Sequence, residues 1–166
     1  MWLMRVVSNT SPVSNLAIIA RLDLLQRRYG EVQIPLAVAH ELARLAHKGG
    51  KASIDAAISA GWLTVNAASS SSLSWPFPLD AGESAAIALA VATSADLLLI
   101  DEKRGRAAAR HFGLTVAGAL GELLHAKLAG WIPSLRNELD RLRHEAGFFI
   151  DTEIERFILS QAGEWP

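Results

Sequence analysis

The chain of 166 residues contains no cysteine. Disulfides, thiol nucleophiles and Cys-ligated zinc are therefore excluded, and the composition suits a reducing cytosol. Net charge is almost absent too, with 16 Lys and Arg against 17 Asp and Glu leaving −1. No global field draws such a chain to nucleic acid or to a membrane, so any such contact must come from a local patch. Long apolar runs are missing. The longest tract, Ala85 to Ile100, carries Thr93, Ser94 and Asp96 and falls short of the roughly 20 residues a membrane span needs. Met1 to Val7 is too short for a signal peptide, so a cytoplasmic protein without a membrane partner is expected. Neither a P-loop nor a Gly-x-Gly-x-x-Gly fingerprint occurs, which argues against nucleotide-phosphate binding by those routes. His40, His47, His111, His125 and His144 lack metal-ligand spacing and are read as solvated or satisfied by backbone.

What is present is apolar: 51% of the residues are hydrophobic, enough for one domain over 1–166 with a real core. Short apolar runs at Leu3–Val7, Val32–Ile34, Leu63–Val65, Leu97–Ile100 and Leu114–Val116 alternate with helical segments. Helices are predicted near 12–19, 22–28, 35–47 (closed by Gly49-Gly50), 53–60, 80–92, 102–112 and 119–128. Strands alternating with helices mean an α/β fold, a Rossmann-like parallel sheet flanked by helices. Asn66 to Pro78, with Ser69 to Ser72 and two prolines, reads as a surface loop. The core is expected over about 3–128. A C-terminal helical appendix follows over about 133–166, with Ile154, Phe157 and Ile158 on one helix face, packing on the core or on a partner subunit.

The most informative stretch is Leu97 to Arg106, Leu-Leu-Leu-Ile-Asp-Glu-Lys-Arg-Gly-Arg. Four apolar residues without alternation fit a strand covered on both faces. The run ends on Asp101, at the carboxyl edge where open α/β sheets bind ligands. Three further positions converge on that edge. Asn9 follows the first strand, where a cap or turn is the plainer role. Glu41 lies beside the apolar stripe of Val38, Leu42 and Leu45, so it either swings to water, pairs with Arg44, or is held by a ligand. Glu83 follows Asp80 at capping-box spacing, yet also lies on the stripe of Ala86, Ile87, Ala90 and Val91. Clustered oxygen ligands are what a hard ion such as Mg²⁺ or Mn²⁺ requires. Asp96 precedes its strand and belongs to the opposite edge. Glu122 falls roughly 80° outside the stripe of Leu120, Leu123, Leu124 and Leu128, so it is expected to be solvated.

Four segments together resemble the PIN-domain nucleases, nearest to a prokaryotic branch of PIN-like proteins of unknown function. They are Val6-Val7-Ser8-Asn9-Thr10-Ser11-Pro12, Pro35-x₅-Glu41-Leu42, Leu79-Asp80-x-Gly82-Glu83, and Leu98-Leu99-Ile100-Asp101-Glu102-Lys103-Arg104-x-Arg106. The resemblance implies a metal-dependent ribonuclease whose carboxylates hold Mg²⁺ or Mn²⁺. It places the four site positions at Asn9, Glu41, Glu83 and Asp101, with Glu102 where a further acid often sits and Thr10 or Ser11 as a nearby hydroxyl. Ser11, Lys103, Arg104 and Arg106 become candidates for holding RNA, with Arg110 beyond them. Many relatives are toxins of toxin–antitoxin pairs and often dimers, which implies an RNA substrate, an antitoxin protein and a homodimer. Asn9 departs from the pattern, which has Asp there. An amide oxygen can ligate a metal but brings no charge, which keeps open an impaired PIN-like module that binds RNA or a protein without cutting. A different α/β hydrolase, acting on small phosphorylated substrates, has only the carboxylates to support it.

Overall fold

The computed structural model describes residues 3–68 and 73–166; the serine run at 69–72, expected as part of a loop, lies outside them. In chain order the elements are β1 (Val6–Ser8), α1 (Thr10–Ile18), α2 (Asp23–Tyr29), β2 (Val32–Pro35), α3 (Leu36–Ala43) and α4 (Lys48–Ser59). Then come β3 (Leu63–Asn66), α5 (Ala81–Ala92), β4 (Leu97–Leu99), α6 (Lys103–His111), β5 (Val116–Ala117), α7 (Ala119–Leu128), α8 (Leu135–Ala146) and α9 (Thr152–Gln161). The strands form one sheet in the order β3-β2-β1-β4-β5 with every pair parallel. This is the α/β, Rossmann-like sheet flanked by helices that the alternation predicts.

The central strands are apolar throughout because both faces are covered. Val6, Leu97 and Leu99 face a cluster built with α1, α2, α7 and α8. Val7, Leu98 and Ile100 face the opposite cluster, built with α5 and α6. Each fully buried Leu or Ile contributes about 1.5–3 kcal/mol. The C-terminal helices join the first cluster through Leu135, Leu139, Leu142, Ile158 and Leu159, so the appendix packs on the core. Glu164 fastens its end, accepting from Leu135 N at 2.6 Å and Ser134 Oγ at 2.8 Å. Ile158 is buried on α9 whereas Ile154 and Phe157 face outward.

Register positions the site. Val6, Val7 and Ser8 lie opposite Leu97, Leu98 and Leu99, so β1 and β4 end level with one another. Asn9 N then donates to Leu99 O at 2.8 Å, which sets Asn9 next to the residues leaving β4.

Several boundaries differ from expectation for physical reasons. Strand β1 starts at Val6 and leaves Leu3 and Met4 exposed. Helix α1 starts at Thr10, two residues before Pro12, because a proline is tolerated anywhere in the first turn, whose N–H groups have no intrahelical acceptor. Helix α3 stops at Ala43, and α4 runs through Gly49-Gly50 instead of starting after it. His47 caps that helix by accepting from Gly50 N at 2.9 Å. A Cβ on Gly50 would come within 3.2 Å of both His47 Nδ1 and Leu45 Cδ2, so the glycine marks a close approach and not a helix end. Strand β5 falls at Val116–Ala117, beyond the expected Leu114–Val116, since Leu114 N is taken by Ala109 O at the end of α6. Glu122 is the clearest correction. It is 2% exposed, not solvated, because α7 turns Ala119, Glu122, Leu123 and Ala126 inward. Its carboxylate accepts from Tyr29 Oη at 2.6 Å and Arg28 Nη1 at 3.0 Å.

Candidate active site

The carboxyl rim of β1 and β4 collects polar side chains that the core excludes. Asn9 stands at the N-cap position of α1 yet makes no side-chain capping bond. It is 3% exposed, and its Nδ2 donates to Glu102 Oε2 at 3.3 Å. Its Oδ1 is buried with no hydrogen-bond partner among the described residues. An unsatisfied buried carbonyl oxygen costs about 1–3 kcal/mol, so this atom is set for something other than stability.

Neighbouring residues of α1 reach the surrounding acids. Thr10 Oγ1 donates to Glu41 Oε2, and Ser11 Oγ donates to Glu102 Oε1. Glu41 thus projects from α3 toward α1, and not to Arg44. Its carboxylate also lies against the first turn of α5, where a Cβ on Gly82 would meet its oxygens at 2.6 and 2.8 Å. Glycine at 82 is therefore a condition of Glu41's position.

Glu83 serves two ends. Asp80 Oδ1 accepts from Glu83 N at 2.7 Å and Glu83 Oε2 accepts from Asp80 N at 3.2 Å, closing the capping box of α5. The other oxygen, Oε1, lies 3.2 Å from where a Cβ on Gly105 would stand, facing α6. Burial raises the Glu83 carboxyl above its ordinary range, and the charges of Asp80 and Glu102 add to the rise, against the pull of Asp80 N–H and Arg104.

Asp101 leaves the end of β4 and does not cap α6, whose N-cap position is Glu102. Its Oδ1 accepts from Ala119 N, in the first turn of α7, at 2.8 Å, and its Oδ2 from Asn15 Nδ2 at 3.2 Å. A Cβ on Gly118 would stand 2.5 Å from Oδ1 and 3.2 Å from Arg106 Nη1. Burial pushes the Asp101 carboxyl up to about 6, with the Glu102 charge adding, against the two hydrogen bonds and Arg106.

Among the described residues, no three Asp, Glu, His or Cys side chains stand close enough together to hold an ion in this conformation. Glu102 is nonetheless central: it bonds Asn9 and Ser11, and its charge is felt at both Glu83 and Asp101. Of the basic candidates, Arg104 is engaged locally, donating to Pro78 O at 2.9 Å with its guanidinium 5.2 Å from the Phe77 ring centre. Lys103 is exposed and Arg106 half-buried. Sequence reasoning missed Asn15, although its place one turn beyond Ser11, on the same side of α1, was a usable signal.

A family model described as a PIN domain matches residues 5–164. The chain belongs to the PIN-domain family. PIN domains are in general nucleases that use divalent metal ions. No curated protein and no solved structure gives a significant match to the chain. The donors at this PIN domain's rim suit a hard divalent ion in kind, being oxygens throughout and including the orphaned Asn9 Oδ1. Among the described residues no helix is long and apolar enough to cross a membrane.

Proposed function

We propose that this PIN domain is a metal-dependent ribonuclease that hydrolyses phosphodiester bonds. The observation that carries the reading is the buried Asn9 Oδ1, without a partner among the described residues, on an amide whose nitrogen already binds the carboxylate of Glu102. Asn9, Glu41, Glu83 and Asp101 would hold Mg²⁺ or Mn²⁺, with Glu102 as a further oxygen donor. When bound, such an ion polarises a phosphate and lowers the pKa of a bound water. Asp101, fixed by Asn15 and Ala119, orients. Glu83 keeps one oxygen outside its capping box, facing α6, and burial raises its proton affinity, so it is the carboxylate suited to accept a proton. Ser11 and Lys103 flank Glu102, and Arg106 stands beside Asp101, where each can hold a phosphate of the RNA backbone. Arg104 instead fixes the segment before α5.

The test is Mn²⁺-dependent cleavage of RNA by the purified protein, lost in Asp101→Asn. Cleavage that persists in that variant overturns the assignment of this site. The second reading, a PIN-like module that binds RNA or a protein without cutting, is favoured by the uncharged Asn9. Cleavage gained only on Asn9→Asp would select it. The toxin role, the antitoxin partner, the homodimer and the cytoplasmic location are proposals that rest on family resemblance and composition.

A further inference from the structure

We infer that Asn15 is a positioning residue of this site, holding the Asp101 carboxylate in the orientation from which it takes the metal ion. The inference deepens the nuclease reading and rests on it. Ser11 and Asn15 lie four residues apart on α1, hence one above the other on one side of the helix. They take hold of two consecutive acids, Ser11 of Glu102 and Asn15 of Asp101. The Asp101 carboxylate is thereby held at both oxygens, by Ala119 N from α7 and by Asn15 Nδ2 from α1. Without Asn15, one N–H remains and the group can turn about its last bond.

Asparagine is an unfavourable choice for the middle of a helix, and α1 buries Pro12, Val13, Leu16 and Ala17 without its help. Its hydrogen bond to Asp101 is what this side chain adds. The amide suits the role chemically: it donates to a carboxylate without neutralising it, whereas Lys or Arg would compete with the cation. Removing such an outer partner typically lowers metal affinity about 10- to 100-fold.

The experiment is Mn²⁺ titration by calorimetry into the metal-free 166-residue chain, as wild type, Asn15→Leu, Asn15→Ala and Asn15→Gln, with thermal midpoints recorded alongside. Leu and Ala are expected to weaken Mn²⁺ binding about 10- to 100-fold while the metal-free midpoint moves little. Gln, which keeps a donor amide, should lose less. Wild-type affinity in both Leu and Ala variants overturns the inference and leaves the nuclease reading intact. A wild-type protein that binds no Mn²⁺ overturns both.

Discussion

Asp101 is the residue at which stability and chemistry most clearly oppose one another. Its carboxyl is displaced from an ordinary 3.8 to about 6 by burial, so the native state keeps the proton after the unfolded chain has lost it. Folding stability from this group is therefore full below pH ~4 and falls between pH ~4 and ~6, by up to about 3 kcal/mol at ~1.4 kcal/mol per pH unit. The raised Glu83 carboxyl acts in the same direction. Urea unfolding in chelator should accordingly show Asp101→Asn more stable than wild type at pH 7, with the gap nearly closed at pH 4. The variant amide can still accept from Ala119 N, and Asn15 can turn its own oxygen toward the new NH₂ group. Asn9 makes the complementary case. Asn9→Asp removes the donor to Glu102 and sets two carboxylates against each other. The metal-free midpoint should fall by several degrees and recover when Mn²⁺ is added, a pairing that differential scanning calorimetry reads directly.

At the scale of elements, two glycines matter for what they leave out. Gly82 lies in the first turn of α5, where alanine is a better helix former by about 1 kcal/mol. Yet a Cβ there would stand 2.6 Å from the Glu41 carboxylate, the movable end of a flexible side chain. Gly82→Ala should therefore keep or raise the thermal midpoint while lowering Mn²⁺-dependent RNA cleavage, on the order of tenfold or more as for a displaced ligand. Cleavage at the wild-type rate would show that the Glu41 position is unimportant. The capping box of α5 and the alternation of apolar strands with helices were legible in the sequence, because both are short-range patterns. What was not legible depends on which neighbour approaches. Gly49-Gly50 looks like a helix end until His47, Leu45 and Ile18 are seen to crowd Gly50. Asp101 stands in sequence just before the start of α6, whereas its partners lie on α1 and α7. Sequence order alone does not contain those meetings.

Across the whole molecule, buried ionic ties fasten the outer helices. Glu122 and Glu138 are 2% and 3% exposed and bind partners from α2 and from the α1–α2 connection, Arg28 with Tyr29 and Arg21 respectively. Glu122 is buried although it lies off the apolar stripe, because its helix is covered by α1, α2, α8 and α9, so that stripe does not mark its only inner side. Glu122→Ala leaves Tyr29 Oη and a partly exposed Arg28 without their acceptor. It should cost about 2 kcal/mol of stability in urea unfolding while leaving cleavage per folded molecule unchanged. A loss of specific activity there would extend the functional region along α7, one turn past the Ala119 N–H that holds Asp101.

The nuclease chemistry requires the oxygens at the ends of β1 and β4 to close around one divalent ion. Anomalous diffraction from crystals soaked in Mn²⁺ measures this most directly. The prediction is a single strong peak bounded by Asn9 Oδ1 and carboxylates from among Glu41, Glu83, Asp101 and Glu102, absent in Asp101→Asn. Manganese bound elsewhere, or Asn9 Oδ1 still without a partner at saturating Mn²⁺, would contradict it.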